Sequence, residues 1–211
     1  MFEFLYLASQ SPRRQELLRQ IGVKFELLLP TSKENAEALE AEIEGELALD
    51  YVRRVTLAKI DAAQRRLLNG KQAWAPILCA DTTVVQIIEG REKILGKPKD
   101  PQDALRILSH LNGAEHLVHT AVAIKPQPKH PAQIMISSSK VEFSSCAPEL
   151  LRAYIATGEP MGKAGAYAIQ GIGACLIKSI QGSHSGIMGL PLYETSLLLQ
   201  RVGIQYEINK P

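Results

Sequence analysis

Asp81 is the carboxylate whose surroundings say most about chemistry. Ile77-Leu78-Cys79-Ala80 precedes it, Val84-Val85 follows, and only Thr82 and Thr83 intervene. A charge inside such an apolar run is costly unless it is paired or bound to metal. Two roles need a fixed, partly desolvated carboxylate of this kind: ligand to a hard divalent cation, or base toward water. The competing reading ends the strand at Asp81, at the surface, in an Asx-turn. A second group is Ser9-Gln10-Ser11-Pro12-Arg13-Arg14, two hydroxyls and two guanidiniums at an expected helix start. Free N–H groups and the positive dipole end favour an anion there, and the planar fork of arginine suits phosphate. The bland alternative makes Ser11 a cap and the arginines solvated surface.

Two lysines stand in glycine-containing contexts, Gly96-Lys97-Pro98 and Gly162-Lys163-Ala164-Gly165, where small neighbours let a ligand approach the backbone. Each taken alone is an ordinary solvated turn lysine. The stretch from Gly165 to Gly173 reads as a strand entering a glycine turn beside one amide, Gln170, and suits a pocket wall. Other chemistries lack their motifs. The chain has no Gly-x-x-x-x-Gly-Lys-Ser/Thr, and no Gly-x-Gly-x-x-Gly follows the first strand. Gly182-Ser183-His184-Ser185-Gly186 puts histidine where a nucleophile elbow needs serine. His116 and His119 fall on opposite faces of an expected strand with no cluster to complete a zinc site, so both read as structural.

The elements that must position these groups follow from punctuation and period. A buried strand over 2–8 leads through Ser11-Pro12, cap and N1 proline, into a helix that stops at Gly22. A strand over 25–29 precedes an acidic stretch, Glu34 to Glu46, expected to mix loop and exposed helix. From Leu49 a long helix keeps Val52, Thr56, Ile60, Ala63 and Leu67 on one face, with Arg53, Arg54, Lys59 and Arg65 on the other and Gly70 as its C′ stop. A run over 76–88 and a short strand ending at Gly96 form a hairpin about Glu89-Gly90-Arg91-Glu92. Asp100-Pro101 caps the next helix and Asn112-Gly113 closes it. Strands at about 115–125 and 133–144, a helix at about 148–157, a strand near 174–180, a Gly-rich loop and a helix after Pro191 complete the order. This sequence of elements predicts an α/β or α+β fold around a mixed sheet.

The bulk properties narrow the function. The 211 residues carry 24 Lys+Arg against 22 Asp+Glu and are 45% hydrophobic, enough to bury a core without disulfides or metals as staples. A near-zero balance gives no electrostatic reason to expect nucleic-acid or membrane-surface binding, so a polyanionic ligand must be held locally. Cys79, Cys146 and Cys175, odd in number and well separated, read as buried free thiols in a reducing compartment. The N-terminus lacks the pattern of a secretory signal, and no run of ~18 apolar residues spans a bilayer. A cytoplasmic location is expected.

Five ordered blocks match a known pattern: Leu7-Ala8-Ser9-Gln10-Ser11-Pro12-Arg13-Arg14, Ala80-Asp81-Thr82, Gly96-Lys97-Pro98, Lys163-Ala164-Gly165-Ala166-Tyr167-Ala168-Ile169-Gln170-Gly171, and Gly189-Leu190-Pro191-Leu192. Together they resemble the Maf family of nucleoside triphosphate pyrophosphatases over about residues 5 to 203. The resemblance implies one Maf-like domain over 1–211, an elongated mixed sheet with flanking helices, related to the inosine-triphosphate pyrophosphatase superfamily, with two lobes around a cleft. It also implies hydrolysis of a nucleoside triphosphate to monophosphate and pyrophosphate with Mg²⁺ or Mn²⁺, in a homodimer. By position Asp81 matches the family's proton acceptor, and Arg13, Glu34, Lys59, Lys97 and Lys163 match charged positions around the phosphates and metal. Glu34 and Asp81 are the implied metal carboxylates. Arg14, Thr82 and Gln170 resemble the combination of the dTTP/UTP branch. Gly182 to Gly189 departs modestly from the family's usual wording, as loop variation would.

The implied chemistry is coherent. Cleaving the α–β anhydride requires charge neutralisation, an oriented water and a stabilised leaving group, which the metal, Arg13 and the lysines would supply. Whether Asp81 is base, metal ligand or both stays open at this level. The Gln170 amide can pair with uracil or thymine, yet rotated it serves cytosine equally, so Arg14 or Thr82 must break the degeneracy. Adjacent Asp81 and Thr82 would point to opposite faces of a regular strand, a tension that a bulge or strand end would relieve. A rival reading is a nucleotide-binding regulator of cell division or septum formation, with slow or incidental hydrolysis.

Overall fold

The computed structural model describes residues 2–31, 34–35, 37–70 and 72–209. Seven strands form one mixed sheet: β1 (Leu5–Leu7), β2 (Phe25–Leu27), β3 (Ile77–Ile88), β4 (Arg91–Leu95), β5 (Glu115–Lys125), β6 (Gln133–Phe143) and β7 (Ile177–Gln181). The spatial order is β2-β1-β3-β5-β6-β7, with β4 paired to β3. β1 runs parallel to β2 and to β3, whereas the β3–β4 and β6–β7 pairs are antiparallel. Among the described residues six α-helices accompany them: α1 (Pro12–Gln20), α2 (Ala48–Asn69), α3 (Pro101–Leu111), α4 (Pro148–Ala156), the short α5 (His184–Met188) and α6 (Leu192–Arg201). The expected mixed α/β class is observed.

Local rules set most boundaries. Pro12 and Pro101 open their helices, where a missing N–H costs nothing. Asp100 caps α3 by accepting from the Asp103 N–H at 2.8 Å. Ser11 occupies the N-cap of α1 but makes no such side-chain bond. The β3–β4 hairpin closes on Glu89 (φ 51°) and Gly90 (φ 74°), with Ile88 opposite Arg91, a tighter two-residue turn than the four residues expected. Gly70 ends α2 in extended backbone (φ −83°), not in the left-handed form expected of a C′ glycine.

Several expectations are corrected. β1 and β2 are shorter than read, because Phe2 to Phe4 and Leu28 to Leu29 lie outside the ladders. Among its described residues the acidic stretch holds one 3₁₀ turn, Glu37–Glu40. Gly165 to Gly173 forms no strand: Ala164–Ala166 and Ile172–Leu176 are 3₁₀ turns around a tight reversal, so β7 starts later than expected. The loop at 182–189 contains α5. The three cysteines are free, but only Cys79 is buried, and Cys175 is exposed.

The chain divides into two compact units, one of residues 1–81, 121–136 and 189–211 and one of residues 82–120 and 137–188. In the first unit, Ile60, Ala63 and Leu67 of α2 pack with Tyr6, Ile77, Cys79 and Ala123 from the sheet. That is the α2 face anticipated from period 3.6. In the second, Ile107, Leu108 and Leu111 of α3 pack with Val84, Leu95, Val141, Phe143, Tyr154 and Tyr167. Strand β3 contributes to both units, with Asp81 last in the first and Thr82 opening the second.

Candidate active site

In the first unit, β3 carries Asp81 in mid-strand, 7% exposed, with seven strand residues beyond it. The surface Asx-turn alternative is therefore overturned, as is the idea that a strand end lies there. What makes the buried charge tolerable is Lys59. Its Nζ donates to Asp81 Oδ1 at 2.6 Å and to Glu40 Oε1 at 2.7 Å. Burial opposes the ammonium, but the two carboxylates outweigh it and hold the Lys59 pKa above the ordinary lysine value. Lys59 does not lie on the face opposite the packed stripe, where the periodicity reading puts it. It follows buried Thr56 by one helical turn and flanks the packed stripe instead of opposing it. Tyr51, two turns before Lys59 on α2, donates its hydroxyl to the Glu40 carbonyl at 2.9 Å and so holds the 3₁₀ turn that presents Glu40.

At the start of α1, Ser9 is buried and accepts from the Ser11 N–H at 3.2 Å and from Arg14 Nη1 at 3.3 Å. Arg14 Nε donates to the Gly189 carbonyl at 2.7 Å, joining the first and last of the five sequence blocks within one unit. Arg13 and Ser11 are half-buried beside it. Glu34, in the same unit, has partners of its own. Its carboxylate takes a two-pronged bond from Arg66, Nε to Oε1 at 2.9 Å and Nη2 to Oε2 at 2.7 Å. It also accepts from the N–H and hydroxyl of Thr31, each at 3.1 Å. These bonds, Arg66 foremost, lower its pKa to about 2. Ser32 and Lys33, quoted next to it, lie outside the described residues.

In the second unit, the Thr82 and Thr120 hydroxyls are bonded at 3.0 Å, and Thr120 donates to the Gly186 carbonyl at 2.8 Å. The two lysine motifs converge here: the Gly165 N–H donates to the Gly96 carbonyl at 3.1 Å. Gly165 is required at that approach, since it has φ +71° and an added Cβ would meet the Val84 side chain at 2.9 Å. Lys163 Nζ donates to the Glu159 carbonyl, Lys97 is exposed, and exposed Gln170 occupies a turn closed by the Gly171 N–H on the Ala168 carbonyl at 3.2 Å. His116 and His119 are structural, as expected: both are buried, with His116 Nε2 2.9 Å from the Tyr167 hydroxyl and His119 Nδ1 2.8 Å from the Ser138 hydroxyl.

The donor set fits one mode of divalent cation binding. Asp81 and Glu40 bring hard carboxylate oxygens to one small region, and Mg²⁺ commonly takes one or two carboxylates with substrate phosphates and waters. No group of three or more His, Cys, Asp or Glu side chains gathers as a metal site among the described residues, so an all-protein cage is not what these residues offer. Sequence reasoning missed Glu40, Tyr51 and Arg66. Glu40 and Arg66 meet their partners across 19 and 32 residues, and nothing in the local pattern marks either one.

The chain is similar to known proteins over nearly its whole length. The family described as "Maf-like protein" matches residues 4–202. A "dTTP/UTP pyrophosphatase" of Burkholderia orbicola (strain AU 1054) is 56% identical over 206 residues, covering 98% of this chain and 96% of that protein. One of the same name from Albidiferax ferrireducens is 50% identical over 205 residues, covering 97% and 100%. Among solved structures, the Staphylococcus aureus Ham1 protein aligns with a TM-score of 0.44 at 12% identity, over 67% of this chain and 72% of that one. With the family match running through nearly every described residue, and relatives this similar over almost their whole length, the chain belongs to the Maf-like protein family.

Proposed function

We propose that this chain is a nucleoside triphosphate pyrophosphatase that converts dTTP and UTP to the monophosphate and pyrophosphate, working with Mg²⁺ or Mn²⁺. The observation that carries the reading is Asp81 itself, a carboxylate buried in mid-strand and held at 2.6 Å by a lysine shared with Glu40. Relatives bearing the name dTTP/UTP pyrophosphatase support the choice of substrate.

In this reading water attacks the α-phosphorus, a new P–O bond forms, and the bond from that phosphorus to the bridging α–β oxygen breaks. Asp81 orients the water and accepts its proton at Oδ2, the oxygen not engaged by Lys59. Lys59 holds Asp81 in place. A divalent ion held by Asp81 and Glu40 supplies Lewis acidity to the phosphate oxygens when bound. Glu34 serves as a further metal carboxylate only by exchanging Arg66 and Thr31 for the ion. Ser11, Arg13, Lys97 and Lys163 bind phosphate oxygens and balance the charge of the departing pyrophosphate. Arg14, Thr82 and Gln170 select the base, Gln170 through the donor and acceptor of its amide. The reading includes a cytoplasmic setting, in keeping with three free cysteines, and a homodimer. Among the described residues no helix is long and apolar enough to cross a membrane.

Incubating purified protein and either metal with a full nucleotide panel, then identifying products, tests this. Monophosphate plus pyrophosphate, formed fastest from dTTP and UTP, is expected. Diphosphate plus orthophosphate overturns it, and saturable binding without turnover points to a regulator of cell division instead.

A further inference from the structure

Glu159 is a half-buried carboxylate held by backbone N–H groups and a phenol, with Lys163 acting on it electrostatically. Its Oε2 accepts from the Ile172 N–H at 2.9 Å, and its Oε1 from the Gly173 N–H at 2.8 Å and the Tyr154 hydroxyl at 2.8 Å. Burial would raise its pKa, yet the two backbone N–H groups and the phenol outweigh that and hold it below the usual glutamate value. A carboxylate satisfied by backbone N–H groups acts as a staple on the segment that supplies them.

That segment is the turn carrying Gln170. Ala168, at the near end of the turn, donates its N–H to the Tyr154 hydroxyl at 3.3 Å, so the same Tyr154–Glu159 pair grips the backbone on both sides of Gln170. Gly171 and Gly173 are small for this reason. A Cβ on Gly171 would lie 2.1 Å from Glu159 Oε2, and one on Gly173 would lie 2.6 Å from the Tyr154 hydroxyl. Gly171 has φ −113°, an ordinary extended value, so contact with the carboxylate and not backbone strain demands glycine there. The backbone carbonyl of Glu159 also accepts from Lys163 Nζ. One residue thus fixes the base-facing amide through its side chain and a phosphate-binding lysine through its main chain.

We infer that Glu159, acting with Tyr154, is the positioning residue that fixes the Gln170 turn and thereby sets discrimination among nucleobases. The inference rests on the reading of Gln170 as the base-selecting amide. An amide distinguishes uracil from cytosine only if its donor and acceptor are held in register, since a free turn lets it serve either base.

The test compares kcat/KM for UTP and CTP in the wild type, Gln170→Ala, Glu159→Gln and Gly171→Ala, with circular dichroism and melting to confirm folding. The UTP/CTP ratio should fall roughly tenfold in Glu159→Gln and in Gly171→Ala, the scale of one misplaced hydrogen bond, and more through KM than through kcat. Glu159→Ala combined with Gly171→Ala should be no less selective than Glu159→Ala alone, because the carboxylate that the new methyl displaces is already gone. A ratio that collapses in Gln170→Ala but survives in folded Glu159→Gln and Gly171→Ala overturns this inference and leaves the reading of Gln170 standing. A ratio that survives in all three overturns both. Additive losses in the double variant also overturn it.

Discussion

Lys59 in the first unit and Glu159 in the second are charged groups satisfied in different ways. Lys59 sits between two carboxylates, so its charge is matched by charge and its removal leaves Asp81 and Glu40 facing each other. Glu159 is matched mainly by neutral N–H groups, with Lys163 adding a smaller charge effect, so its carboxylate fixes the course of the backbone. The first arrangement pairs an acid inside an apolar strand with a cation. The second gives an exposed amide a fixed address. Comparing them separates two uses of buried charge, one electrostatic and one geometric.

The largest expected effect comes from removing charge at the electrostatic end. Asp81→Asn keeps the shape, and pyrophosphate release should fall by ~10²–10⁴-fold while circular dichroism stays native, the range for loss of a positioned base. Near-normal turnover would take Asp81 out of the chemistry. Lys59→Met should then cost roughly 2 kcal/mol in urea unfolding, less than the ~3–5 kcal/mol of a fully buried broken pair because water reaches Glu40. A loss under half a kcal/mol would mean the two carboxylates tolerate each other without the lysine, and the contrast with Glu159 would vanish.

Acid sharpens the comparison, because the two units should yield in different pH windows. His116, buried among Phe143 and Tyr167 in the second unit, has its pKa lowered by burial from 6.5 to about 4. The unfolded chain takes up that proton first, so stability is lost as pH falls from about 6.5 to 4, by up to about 3 kcal/mol. His116→Phe should flatten that limb of a plot of unfolding free energy against pH. Glu34 in the first unit has its pKa lowered from 4.5 to about 2, chiefly by Arg66, and its contribution is lost only as pH falls through that lower window. Glu34→Gln should leave the 6.5-to-4 limb unchanged. The smallest effect expected is Asp100→Ala, about 1 kcal/mol of thermal or urea stability from one N-cap, with nucleotide selectivity unmoved.

The elements set by neighbours were the legible ones. Pro12 and Pro101 mark helix starts, and Glu89-Gly90 marks a hairpin. The Val52, Thr56, Ile60, Ala63, Leu67 stripe marks a buried helix face, because each depends on residues within a turn or two. The segment from Gly165 to Gly173 was misread as a strand because its shape is imposed from Tyr154 and Glu159 in another part of the chain. Lys59, seven residues after Val52 and four before Ala63, falls by period at the edge of the packed stripe, and only Asp81 arriving on β3 shows what it meets there.

By itself the sequence determined that an acid lies within an apolar run, that two lysines stand beside glycines, that Ser-Pro-Arg-Arg follows the first apolar run, and that these fall in the order of a known family. Those are facts of residue type and spacing. Tertiary structure decided which charge meets which: Lys59 with Asp81 and Glu40, Arg66 with Glu34, Glu159 with the amides after Gln170. A hydrogen bond needs its atoms within about 3 Å, and for groups tens of residues apart only the packing of helices on the sheet brings them that close.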